Sequence, residues 1–392
     1  MRVALLAALA VVVAAAACGG GADPAVVDGT TEPTSSSRST STPSSDPPRA
    51  FEVSQGVVRA EVAADAPVAE LVRGWNDAGF ALLREQPAED NVVFSPVSIG
   101  HALLMAAAAA DDPTRAAISS AFGHPDHAHQ AWNALDLQVA DSQSDQVTVT
   151  IADRIWPSVG IEPAQDWIDL LASEHGADVV PLDFAGDGEG SRRVINDWAS
   201  DRTEGLIPEL LPIDFITPMT VLVLTDTLYF AAEWERPFGK YGPVSGVFTT
   251  LDGAEVATSF MQELELADRR GTGDGFVGAE IPYAGGAYSM LVLVPDEGRY
   301  EELLDRLDQD LLDEVDRTFT TGPYELLLPK WDDTYQIDLM DWLTDIGAAP
   351  GAYPSITPGA FLDAAVHAAD ITIDERGTVA AAATALGFDQ SG

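Results

Sequence analysis

Between Thr220 and Phe230 the chain contains Val221-Leu222-Val223-Leu224, four consecutive apolar side chains. Successive side chains of an extended strand point to opposite faces, so this run needs apolar cover on both sides. A central strand with packed layers above and below satisfies it. Val147, Val149 and Ile151 alternate with Thr148 and Thr150 and predict a strand reaching Trp156. Further strands are predicted at 288–294 and 324–328, each closed by proline, and a short apolar one at Asn91-Val92-Val93-Phe94. Helical spacing begins after Asp65, a candidate N-cap, with Val68, Leu71, Val72, Trp75, Gly79, Leu82 and Leu83 on one face. Ser95-Pro96 then supplies a capping hydroxyl and a first-turn proline for the alanine-rich helix from Ile99 to Ala110. Small side chains on that helix allow another element to approach closely, as beneath a sheet. Helices are also predicted at 164–175, 191–200 and 300–315. Helices mixed with long strands, without βαβ regularity, make the fold class α+β.

The 392 residues carry 63 acidic and 20 basic side chains, a formal charge of −43, with Lys240 and Lys330 the only lysines. So few cations leave nothing to neutralise phosphates, which excludes nucleic acid as a partner. Residues 1–18 predict an export signal, with Arg2 ahead of the apolar run Val3 to Ala17. Cys18, the only cysteine, follows Ala15-Ala16-Ala17 as in a bacterial lipoprotein cleavage box, although leucine is absent three residues before it. Cys18 is therefore the expected lipidation site, and the lipid its only membrane contact, on the outer face of the cell membrane. An ordinary secretory leader is the other possibility. Residues 19–60, rich in Ser, Thr and Pro, are expected to be a disordered tether to a domain at 61–392.

Several motifs, in chain order, resemble the serpins. They are Asn91 to Ile99; Ile195-Asn196-Asp197-Trp198 with Thr203, Gly205 and Ile207; Thr227-Leu228-Tyr229-Phe230 with Trp234-Glu235-Arg236-Pro237-Phe238; Ile281-Pro282-Tyr283; and Leu293-Val294-Pro295. The most specific is 371–385, Ile-Thr-Ile-Asp-Glu-Arg-Gly-Thr-Val-Ala-Ala-Ala-Ala-Thr-Ala, which resembles a serpin strand running into the hinge of a reactive loop. The resemblance implies three β-sheets, about eight or nine helices and, with 375–392 a truncated reactive loop, C-terminal strands missing from this chain. It also implies a monomeric suicide-substrate inhibitor of serine, less often cysteine, proteases, with no catalytic residue, metal or cofactor.

For such a loop to enter a sheet, its inward-facing residues must be small enough to pass between strands. Glu375, Arg376, Gly377, Thr378, Ala380, Ala381, Ala382, Ala383 and Thr384 form the expected hinge, with Thr378, Ala380, Ala382 and Thr384 inward and Val379 outward. Gly377 is expected to permit a backbone turn at the pivot. Counting sixteen residues past Glu375 puts the scissile bond at Ser391–Gly392, with Leu386 or Phe388 as bait in a shorter loop. The resemblance makes Ser95, Ser98, Asp226 and His367 a sheet-opening patch and Trp234 part of the breach at the top of the sheet. Asp226 stands where the family usually has asparagine, and pairing with a protonated His367 is expected. His124, His127 and His129 could bind zinc but lack a second group of ligands, so the segment is taken as a helix start. The alternative function is a non-inhibitory surface binding protein, or the product of a truncated gene.

Overall fold

The computed structural model describes residues 57–88, 90–266 and 268–391. The leader with Cys18, the tether up to residue 56, and Gly392 lie outside the described residues. Among those described, no helix is long and apolar enough to cross a membrane.

Helix α1 (Val68–Arg84) buries Leu71, Trp75, Ala78 and Leu82 along one face. Its N-cap is Pro67 rather than Asp65, and no side chain caps it. Residues 91–94, expected as a strand, pair with nothing; Val93 and Phe94 pack against the core instead. Helix α2 (Pro96–Ala109) begins as its sequence predicts: Ser95 Oγ accepts the Ser98 N–H at 3.1 Å. It has no polar face, and most of its residues are buried. α3 (Asp112–Ala121) and α4 (Ala128–Asp141) lead to strand β1 (Val147–Pro157). Next come α5 (Gln165–Leu170), one π-helical turn at Leu171–His175, β2 (Asp178–Val179), α6 (Gly188–Arg202) and β3 (Thr220–Glu233).

Strands β4 (Val244–Thr249), β5 (Glu255–Leu266), β6 (Arg269–Gly273), β7 (Phe276–Pro282) and β8 (Ser289–Pro295) follow. The helix expected over 300–315 is two, α7 (Tyr300–Arg306) and α8 (Gln309–Thr318). Leu307 is extended, and Asp308 starts the second helix by accepting the Leu311 N–H at 2.8 Å. The chain continues through β9 (Thr320–Thr321), β10 (Tyr324–Pro329), β11 (Trp331–Asp338), α9 (Met340–Asp345), β12 (Ala360–Ile373) and β13 (Gly377–Gln390).

The strands form three sheets: a six-stranded one in the order β11-β12-β13-β3-β1-β2, a three-stranded one, β10-β5-β4, and a four-stranded one, β8-β7-β6-β9. Nine α-helices accompany them among the described residues. Two cores sandwich the six-stranded sheet. One is built on α1, α2 and α4, the other on α6 and the segment 206–216, so β3 is covered on both faces as its apolar run requires.

The C-terminal end corrects two expectations. The chain does not lack C-terminal strands, because its last described residues form β12 and β13. Residues 377–390 are also not an exposed loop. They are the third strand of the large sheet, antiparallel to β12 on one side and to β3 on the other. Their small side chains fit between the layers packed above and below the sheet, where larger ones would press those layers apart.

Candidate functional site

β12 turns into β13 through Asp374-Glu375-Arg376. Asp374 Oδ1 accepts the N–H groups of Arg376 (2.7 Å) and Gly377 (3.2 Å), a local alternative to ladder bonding that aspartate is suited to make. Burial raises the Asp374 carboxyl, but these donors and the Arg376 charge outweigh it and leave the group below its usual range. Glu375 lies 2.9 Å from Lys330 Nζ, and that bond holds its carboxyl below the usual range too. Gly377 is needed for a different reason from the one expected, since its φ is not positive. A Cβ there would lie 2.0 Å from the Ala232 carbonyl oxygen, so glycine is what lets β13 start against β3.

Trp234 clamps this turn. Its indole N–H donates to the Asp374 carbonyl at 2.9 Å and its backbone N–H to the Arg376 carbonyl at 2.8 Å. Its ring stacks on Tyr283 at 4.5 Å, and the Tyr283 hydroxyl meets Thr378 Oγ1 at 2.7 Å. Along β13 the faces alternate. Ala380, Leu386 and Phe388 join the core beneath the sheet, whereas Ala381, Ala383 and Ala385 pack toward α6. Ala382 is buried, and Val379 is the strand's exposed apolar side chain. Leu386 and Phe388, considered above as bait, are fully buried, with the Phe388 ring 4.8 Å from Tyr353. Ser391 lies exposed at the far end, its N–H 3.2 Å from the Gly359 carbonyl oxygen.

A buried polar row crosses the sheet midway along these strands. The register pairs His367 of β12 with Thr384 of β13, Thr384 with Asp226 of β3, and Asp226 with Asp153 of β1. Helix α2 lies beneath and contributes Ser98 and His101. Thr384 Oγ1 is 2.8 Å from His367 Nδ1 and 2.9 Å from Ser98 Oγ, while His367 Nε2 accepts the Ser95 N–H at 3.0 Å. Because Nε2 accepts, Nδ1 carries the proton and donates to Thr384, whose hydroxyl shares a further hydrogen bond with Ser98. Burial lowers the His367 pKa to about 3, so the ring is neutral.

The expected pairing of Asp226 with a protonated His367 is therefore corrected. Asp226 Oδ2 instead lies 2.9 Å from His101 Nδ1, with Asp153 Oδ1 3.2 Å from the same nitrogen. Burial, then the neighbouring Asp226, pushes the Asp153 carboxyl well above its usual range. His101 Nε2 meets His175 Nδ1 at 2.8 Å, and His175 Nε2 meets His129 Nδ1 at 2.8 Å. Of the three clustered histidines, His129 thus turns inward to His175, and His127 takes a left-handed conformation at the N-cap of α4.

His101, Asp153 and His175 were not singled out in the sequence, although a signal was present. His101 interrupts an apolar helix, and Asp153 falls in the inward phase of β1 shared by Val147, Val149 and Ile155.

The architecture is that of a three-sheet α+β protein whose C-terminal segment fills the middle of its largest sheet. The family model described as Serpin (serine protease inhibitor) matches residues 74–391, and the chain belongs to the serpin family. It is 25% identical over 359 residues to a serpin-like protein of Thermococcus kodakarensis, covering 89% of this chain and 83% of the relative. It is 27% identical over 330 residues to leukocyte elastase inhibitor A of Rattus norvegicus, covering 78% and 85%. Among solved structures it is similar to reactive-loop-cleaved human thyroxine-binding globulin, with TM-score 0.76 and 22% identity over 83% of this chain and 100% of that one. Serpins are protease inhibitors and non-enzymatic relatives, so the chain is not an enzyme.

Proposed function

We propose that this protein inhibits a serine protease, less often a cysteine protease, as a suicide substrate. Residues 375–392 are the bait and hinge, and the residues around Ser98, Asp226 and His367 control opening of the sheet. One observation carries the proposal: residues 377–390 lie between β12 and β3 with both edges paired, as a severed loop would after insertion. In this scheme the protease serine attacks the Ser391 carbonyl, the bond to Gly392 breaks with release of its amine, and an acyl-enzyme remains on Ser391. Insertion of 377–390 then outruns hydrolysis, and the native state before attack is kinetically trapped. A serine at the cleavage point favours proteases that accept small residues, which accords with the elastase inhibitor among the relatives.

Incubating the full-length protein with elastase, subtilisin and chymotrypsin tests this. The expected result is a covalent complex that survives detergent. Cleavage in the 386–392 segment with no such complex would overturn inhibition and favour the non-inhibitory binding role. We further propose that the protein acts outside the cytoplasm, as a monomer held by a lipid on Cys18. Palmitate labelling lost in Cys18→Ala is the expected outcome; labelling that persists would remove the anchor from the proposal.

A further inference from the structure

The two aspartates of the polar row face each other across β1 and β3 in the interior, and among the described residues the one imidazole of His101 is the basic group that reaches both. His101 Nδ1 has a single position for a proton, yet Asp226 Oδ2 lies 2.9 Å away and Asp153 Oδ1 3.2 Å away. One N–H satisfies one of these oxygens. Asp226 Oδ1 and Asp153 Oδ1 are left buried without a hydrogen-bond partner, which is costly for polar oxygens. The three donor atoms lie within 4.8 Å of one another.

These spacings fit a metal polyhedron. With ligands about 2.0–2.1 Å from a zinc-sized ion, neighbouring donors sit roughly 2.9 Å apart at right angles and about 3.4 Å apart at tetrahedral angles. The nitrogen–oxygen separations of 2.9 and 3.2 Å both fall within that span. We propose that His101, Asp153 and Asp226 form a buried site for a divalent transition metal, of the imidazole-plus-two-carboxylate class.

The surroundings support the assignment. A metal-bound His101 Nδ1 keeps its proton on Nε2, which donates to His175 Nδ1, and His175 then donates through Nε2 to His129 Nδ1. A second hydrogen bond that orients the ligating ring is what such sites require. Trp132 stacks on the His101 ring with centroids 3.5 Å apart. The site also has an approach. A cavity of about 240 Å³, bordered by Arg59, Asp136, Asp178 and Arg202, reaches Asp153 and His175 and has room for the water that would complete the coordination. Two carboxylates balance a divalent ion, so the occupied site carries no net charge.

The site joins α2 to β1 and β3 on one side of the slot that β13 occupies, next to the Thr384–Ser98 link. Its three ligands come from α2, β1 and β3 and none from β13, so a bound ion stabilises the folded chain over the unfolded one. This follows whether or not the protein traps proteases.

Titration of the full-length protein with zinc, by calorimetry in excess calcium, tests the proposal, since calcium occupies exposed carboxylates. We expect one zinc per chain at micromolar affinity or tighter, a melting temperature raised by a few degrees, and binding weakened at least tenfold in both Asp226→Asn and Asp153→Asn. Absence of stoichiometric binding overturns the site. So does undiminished binding in either variant, if it is folded. Should both variants fail to fold, the copper-loaded wild type decides: imidazole-nitrogen hyperfine coupling is expected, and an all-oxygen environment overturns the assignment.

Discussion

Strands β3 and β13 are neighbours of equal length, 14 residues each, buried on both faces and paired to each other, yet their compositions are opposite. β3 fills its cores with Val221, Leu222, Val223, Leu224, Leu228 and Phe230. Over 378–385, β13 carries nothing larger than threonine except the outward Val379. A buried leucine or phenylalanine contributes about 1.5–3 kcal/mol, and alanine far less, so β3 is held by its side chains. This half of β13 is held mainly by two backbone ladders and a few hydroxyl links, of Thr378 to Tyr283 and of Thr384 to Ser98 and His367. In the proposed mechanism this half can enter late, because its side chains are small. Leu386 and Phe388 then anchor the far end.

The sharpest way to break this contrast is a charge where β13 is smallest. Ala383→Asp is expected to destabilise the seated strand by more than about 4 kcal/mol, because the core beside α6 offers a carboxylate no partner. A two-state melt of unchanged midpoint would show that β13 is not part of the folded sheet. Thr384→Val keeps the shape but removes the hydroxyl shared by His367 and Ser98. The expected loss is about 3 kcal/mol, from two orphaned buried groups, read as a shift in the urea midpoint. A loss under about 0.5 kcal/mol would mean that the ladders alone hold the strand.

Acidity is expected to have the next largest effect. His367 has a pKa of about 3 when folded and 6.5 when free, so above pH 6.5 the ring is neutral in both states and nothing is lost. Below it the unfolded chain takes a proton that the folded one refuses, and stability falls by about 1.4 kcal/mol per pH unit, roughly 2 kcal/mol at pH 5. Comparing wild type with His367→Gln from pH 5 to 8 isolates this ring. A charged His367 paired with a carboxylate would give the opposite slope. Smallest of all is Val379→Glu, on the exposed side of β13, expected within about 0.5 kcal/mol.

Much of this arrangement was legible in the chain because local rules govern it. The double-sided run at Val221–Leu224 predicted a covered strand, Ser95-Pro96 the start of α2, and the alanines of α2 its place under the sheet. Residues 91–94 misled because four apolar residues fit equally well as a strand or as packing without a partner. The requirement at Gly377 was hidden because it comes from the Ala232 carbonyl, more than a hundred residues earlier. His101, Asp153, Asp226 and His175 meet through strand register and helix packing across four elements, which no spacing in the sequence expresses. The partner of His367 was misjudged for the same reason: Thr384 lies between it and Asp226.

The tight turn at Asp374 to Gly377 has a mechanical consequence. It anchors β13 at one pole of the sheet, so in the proposed insertion it is the opposite end of the segment that travels. Fourteen residues rising about 3.3 Å each span roughly 46 Å, so under the proposed mechanism cargo bonded near Ser391 would be hauled about that far.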